Sequence, residues 1–110
     1  MSSVGSTFRP TGSSHFLSVG TTSSAVQVTN VTQASEFMIT NISNSDYVYI
    51  TIGFGSAPTA VIPTAGNPQL GFPLLHGDTI IVSATANSYV AGICPSGTHN
   101  IIITPGEAIR

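Results

Sequence analysis

The sequence predicts an all-β fold, a β-sandwich of jelly-roll-like character preceded by an extended N-terminal arm. Three observations carry this reading. Short segments alternate apolar and polar residues with a period of two, the mark of a half-buried strand. The apolar residues are mostly Ile and Val, with leucine confined to Leu17, Leu70, Leu74 and Leu75; branched side chains pack on a pleated surface at little rotamer cost. Glu, Lys, Arg and Gln, which decorate helix surfaces, are scarce, and no segment supports a helix of normal length.

Residues 1–14 (MSSVGSTFRPTGSS) hold mostly Ser, Gly and Thr around Val4, Phe8 and Arg9, and read as a flexible arm. Residues 15–110 read as one domain. Its first strand candidate, His15–Val19 (HFLSV), is the weakest. Residues 25–30 (AVQVTN) set Val26 and Val28 against Gln27 and Thr29. Glu36–Asn41 (EFMITN) sets Phe37 and Ile39 against Glu36, Met38 and Thr40. Residues 46–53 (DYVYITIG) alternate most clearly, with Val48, Ile50 and Ile52 on one face and Tyr47, Tyr49 and Thr51 on the other. Residues 78–84 place Ile80 and Val82 inward, and residues 88–93 and 99–104 complete the set.

The separators agree. Residues 41–46 (NISNSD) form a tight polar connection whose short side chains bond their own backbone. Gly77-Asp78 and Pro95-Ser96-Gly97 turn the chain, and Pro105-Gly106-Glu107 is expected to end the last strand. Residues 55–73 contain Pro58, Pro63, Pro68 and Pro73, so no central strand is expected there. The apolar Val61, Ile62, Leu70 and Phe72 suggest a long crossing loop over one end of the core, with a short edge strand at 60–62. Helix-free sheets must hide their apolar faces against each other, which leads to a sandwich or jelly roll.

Only 5% of the 110 residues are charged, while 41% are hydrophobic and the net charge is -2. An average domain carries about 25% charged residues. The polar surface must therefore be built from hydroxyls, amides and backbone. Such a surface offers little like-charge repulsion and suits coverage by partners. Two basic side chains, Arg9 and Arg110, cannot neutralise a phosphate backbone or form a polybasic membrane signal. Neither nucleic acid nor membrane is expected as a partner. Residues 1–14 lack the apolar core of a secretory signal, and the triplets at Asn30 and Asn41 read as chance glycosylation matches.

The raw material for catalysis is thin. His15, His76 and His99 have no neighbour at metal-ligand spacing, and Cys94 stands alone as a buried small hydrophobe. Glu36 and Asp46 flank one expected hairpin without an obvious partner acid. No nucleophile elbow, P-loop or dinucleotide fingerprint occurs. Gly53-Phe54-Gly55 reads as a sharp strand exit. The expectation is a non-enzyme without metal or cofactor.

The groups that remain suit binding. Tyr47 and Tyr49 share a face, with Met38 and Tyr89 as further members, and tyrosine is favoured at interfaces. The competing reading places this face beneath the 55–73 loop. Phe8 beside Arg9 can anchor the arm on a neighbour. Tyr47, Tyr49, Phe54 and Tyr89 can alternatively stack on sugar rings, as in a carbohydrate- or receptor-binding module.

Several patterns together resemble a known group. They are the Ser/Thr-rich arm ending in His15-Phe16, residues 26–30, and Asn41 followed by Tyr47-Val48-Tyr49-Ile50 and Gly53-Phe54-Gly55. Pro73 with His76-Gly77, Tyr89-Val90-Ala91-Gly92-Ile93 and Thr104-Pro105-Gly106-Glu107 complete them. Across most of residues 15–107 the chain resembles small capsid decoration, or cement, proteins of tailed bacteriophages. The resemblance rests on strand-and-turn patterns and implies no catalytic residue. It implies a β-sandwich or jelly roll on the capsid exterior of a virion, clamping neighbouring subunits of the major capsid protein. It also implies self-association as a dimer or trimer.

Overall fold

The computed structural model describes residues 8–28, 36–85 and 88–108, and no helix occurs among them. The strands are β1 (Phe8–Pro10), β2 (His15–Val19), β3 (Ser24–Gln27), β4 (Glu36–Asn41) and β5 (Val48–Gly53). After these come β6 (Phe72–Leu74), β7 (Thr79–Ser83), β8 (Tyr89–Ile93) and β9 (His99–Ala108). All pairings are antiparallel. One sheet runs β1-β9-β4-β7, with β2 also paired to β9; the other runs β3-β8-β5-β6. The two pack against each other in a β-sandwich-like arrangement.

From β2 to β5 and from β6 to β9, successive strands alternate between the two sheets. Short connections therefore do not make hairpins here. The expected hairpin between Glu36 and Asp46 is corrected on this point: β4 pairs with β7 and β9, whereas β5 pairs with β6 and β8.

The alternation of side chains decides what lies between the sheets. Leu17 and Val19, Phe37 and Ile39, and Ile101 and Ile103 point inward from the first sheet and are buried. Val28, Val48, Ile50, Leu74 and Val90 meet them from the second. Full burial of a side chain of this size contributes roughly 1.5–3 kcal/mol. Cys94 is buried at the end of β8, as its apolar run suggests.

Three boundaries differ from the sequence reading. Phe8–Pro10 lies in the first sheet as β1, so the expected arm divides there; residues 1–7 are outside the described residues. The short edge strand is Phe72–Leu74 and not residues 60–62. It tolerates Pro73 because its only neighbour is β5, and alternate N–H groups of an edge strand face away. Finally, β9 continues through Pro105-Gly106-Glu107. Thr11 N–H donates to Pro105 O (3.0 Å), so the proline's polar edge faces the 11–14 segment, where β1 has ended and β2 has not yet begun. Its missing donor falls at a break in the ladder.

Candidate functional site

The six residues expected to form an interface do not come together. Phe8 lies on β1, its ring in the space that a Cβ on Gly106 would need. Arg9 stands opposite Glu107 in the register and forms an ion pair with it. Tyr89 is half-buried on β8, between Gln27 and Gly53. Tyr47 is half-buried just before β5, its N–H donating to Asp46 Oδ1 (3.0 Å). Phe54 is 63% exposed where the chain leaves β5.

Tyr49 is only 4% exposed, and its own chain covers it. Its hydroxyl donates to Gln69 O (3.0 Å), and the neighbouring Thr51 hydroxyl donates to Leu70 O (2.9 Å). Gly71, at φ 135°, passes so close to Ile50 O and Thr51 Oγ1 that a side chain has no room. At the far side of the loop, Ala60 N–H donates to Ser23 Oγ (2.8 Å), and Pro58 presses on Gly53. The proline-rich segment thus covers the outer face of the second sheet, not an end of the core. The tyrosine face lies beneath it, and Tyr49 is withdrawn as a surface contact.

The outer face of the first sheet is partly open among the described residues: Met38, Thr40, Ile81 and Ile102 are half-buried there and Thr104 is buried. Phe16 points outward from β2, opposite Leu17 and Val19, and is 60% exposed. The register sets Phe16 beside Ile102, and Ile102 beside Thr40. In the next row Thr104 stands beside Met38, and Met38 beside Ile81. Hydroxyls fill the spaces: Thr40 and Thr79 bond each other at 2.9 Å, and Ser14 bonds Thr104 at 2.7 Å. Among the side chains that these strands turn outward, Glu36 alone is ionic. Sequence reasoning missed Phe16, although its parity with Ser18 and against Leu17 and Val19 was readable.

A second cluster gathers polar groups from the β4–β5 and β8–β9 turns. His99 Nε2 lies 3.0 Å from Ser96 O and 3.9 Å from Asp46 Oδ2. Ser96 Oγ donates to Asp46 Oδ2 at 3.4 Å. Asp46 holds a left-handed backbone, φ 70°, unusual for a residue with a side chain. Cys94 Sγ lies 3.4–3.5 Å from the carbonyl oxygens of Val19, Ser96 and Gly97, and burial pushes its thiol pKa up. A triad needs the imidazole to face a nucleophile. Here Nε2 faces a carbonyl, which fixes it as a donor, and the serine hydroxyl bonds the acid directly. The arrangement ties two turns together.

His15 and His99 stand at opposite ends of the β2–β9 ladder, and His76 is exposed in the turn before β7. His15 Nδ1 is buried without a hydrogen-bond partner among the described residues. No group of three or more His, Cys, Asp or Glu side chains is placed to hold a metal ion among the described residues. Comparison with protein-family models, with curated proteins and with solved structures returns no match.

Proposed function

We propose that this chain is a non-catalytic structural protein that binds the outside of a bacteriophage capsid and clamps neighbouring major capsid subunits. The observation that carries the reading is the open face of the first sheet. On that face Phe16 is exposed and Ile102, Met38 and Ile81 are half-buried beside it among threonines, and with ionic groups nearly absent the face loses little on desolvation. Exposed apolar side chains grouped on a surface suit contact with other macromolecules. The strand-and-turn resemblance set out above supplies the kind of partner.

Strand order supports a jelly-roll form of the sandwich. Counting β1 and β2 as one position gives eight strands, and the first pairs with the eighth, β2 with β9. The second pairs with the seventh, β3 with β8, the third with the sixth, β4 with β7, and the fourth with the fifth, β5 with β6. An antiparallel ribbon rolled on itself produces these pairs, and rolling adds β4–β9 and β5–β8. Shell and surface-binding proteins use this architecture, though architecture by itself does not fix function.

Sugar stacking has less support. Tyr49 lies under the covering loop, and Tyr47 sits at the opposite end of β5 from Phe54 and Tyr89, so the four aromatics do not share one platform.

The test is to mix the purified chain with undecorated shells and measure bound protein and the heat resistance of the particles. The expected outcome is saturable binding with raised resistance. Phe16→Asp, at an exposed position, should leave the fold intact and weaken binding by about 2 kcal/mol, roughly 30-fold. No binding to shells, or equal binding by the variant, overturns the reading.

A further inference from the structure

We propose that the free edge of β7 is a self-association surface, through which two copies of this chain pair their β7 strands antiparallel across a two-fold axis. The inference gives a surface to the self-association that the sequence resemblance implies, and it does not depend on what the assembled protein binds.

Hydrogen bonding shows which backbone groups are free. Asn41 N–H donates to Asp78 O, and Ile42 N–H donates to Asn100 O. The odd-numbered residues of β4 therefore bond towards β7, and the even-numbered ones towards β9. Across the register, Ile80 and Val82 answer Ile39 and Phe37. The N–H and C=O groups of Thr79, Ile81 and Ser83 consequently point away from β4. Strand β7 ends its sheet, and no described strand pairs with that edge. Unpaired groups of this kind are a template for another strand.

Two other edges are blunted: Pro73 interrupts the β6 edge, and Pro10 with the Arg9–Glu107 ion pair marks β1. The β2 and β3 edges also lack proline and glycine, but the inward side chains of β2, Leu17 and Val19, are already buried. By contrast, β7 reads TIIVS, with no proline, glycine or charge. Its inward side chains show that the flank is open. Ile80 and Val82 pack on the core yet stay half-buried, whereas Phe37 and Ile39 on the adjacent β4 are fully buried.

The occupant that fits is a second β7. A two-fold axis through Ile81 sets Thr79 of one copy opposite Ser83 of the other, and Ile81 opposite Ile81. All of these residues present outward N–H and C=O groups, so every bond is returned by symmetry. Ile80 of one copy would then meet Val82 of the other and close the half-open flank. The open faces of the two first sheets would become continuous.

The experiment is sedimentation and native mass measurement of the full chain from micromolar to millimolar concentration. The expected result is a dimer that dissociates on dilution. Ile81→Pro removes an outward N–H without touching the β4 ladder, so it should fold and be a monomer. Ile81→Lys gives the same answer by placing two like charges face to face. Oxidised Ile81→Cys should give a covalent dimer, and Ser18→Cys, at the opposite edge of the sheet, should not. A wild-type monomer at millimolar concentration, or an oligomer whose mass survives in whichever Ile81 variant folds, overturns the proposal. Shell binding is measured separately: dimers that ignore shells sink only the earlier reading, and monomers that bind shells sink only this one.

Discussion

Asn41 shows how much one buried polar residue can decide. It follows Phe37 and Ile39 on the inward face of β4 and is fully buried. Its Nδ2 donates to Leu74 O (2.9 Å), joining the two sheets, while Oδ1 accepts from the N–H (3.0 Å) and hydroxyl (2.6 Å) of Ser43. Its backbone bonds Gly77 and Asp78. Asn41→Ala would strand Leu74 O and the Ser43 N–H, each at about 1–3 kcal/mol. The expected loss is about 2–4 kcal/mol in urea unfolding, with a lower midpoint and an unchanged slope. A loss below about 1 kcal/mol would show that water replaces these bonds. The parity of the sequence already placed Asn41 inward, but nothing in it named Leu74, a residue of the other sheet, as the partner.

Cys94 makes a second prediction at this scale. Burial, the largest influence, raises its pKa. The folded state therefore holds the thiol proton to higher pH than the unfolded chain, whose thiol titrates near 8.5. The contribution to stability is complete below that value and is lost as pH rises through the folded pKa. Unfolding free energy should fall from about pH 8.5 upward, and fall less steeply in Cys94→Ala. Equal slopes in the two proteins would remove Cys94 from the account. The buried thiol should also react slowly with thiol reagents in the folded protein and fast in denaturant.

At the scale of elements, β9 organises the molecule. It pairs with β4 along one side and with β2 and then β1 along the other. The ion pair Arg9–Glu107 looks like the clasp of β1, yet its side chains are 60% and 31% exposed, where such pairs contribute about 0–1 kcal/mol. Packing of Phe8 on Gly106 is the stronger tie, because a Cβ there would collide with the Phe8 ring and Arg9 O. Gly106→Ala should cost about 1–3 kcal/mol by displacing β1. Hydrogen exchange should speed up at the Thr11 N–H, which bonds Pro105 O, and stay slow in the centre of β9. Glu107→Gln should change stability by less than about 1 kcal/mol. If the glutamine variant loses more than the alanine variant, charge holds β1 and packing does not.

The same element shows where sequence reasoning stops. Alternation read strand faces correctly because parity is a local property: Phe37 and Ile39, or Val48 and Ile50, lie inward as their spacing requires. The extent of β9 depended on what lies beside Pro105, and the fate of Tyr49 depended on where the 55–73 loop travels. Both are long-range facts. A period of two tells which face a tyrosine occupies and is silent about what covers that face. The open face was within reach, because Phe16 shares the parity of Ser18, but a phenylalanine invites a core assignment.

At the scale of the whole molecule, scarcity of charge sets how it meets a partner. With 5% charged residues and a net charge of -2, neither steering nor repulsion acts strongly at a distance. An uncharged face built on Phe16, Ile102 and Met38 must work by contact area and shape. On the proposed function, association with shells should therefore proceed at the unsteered rate, about 10⁵–10⁶ M⁻¹s⁻¹. Affinity should vary by less than about threefold as salt rises past the point where the Debye length falls under about 10 Å. Phe16→Asp should slow dissociation in no condition, and its loss of binding should persist at high salt, because it breaks an apolar contact. A binding constant that drops steeply with salt would instead assign the contact to the few ionic groups. Glu36, at the corner of the open face, would then be the first residue to neutralise.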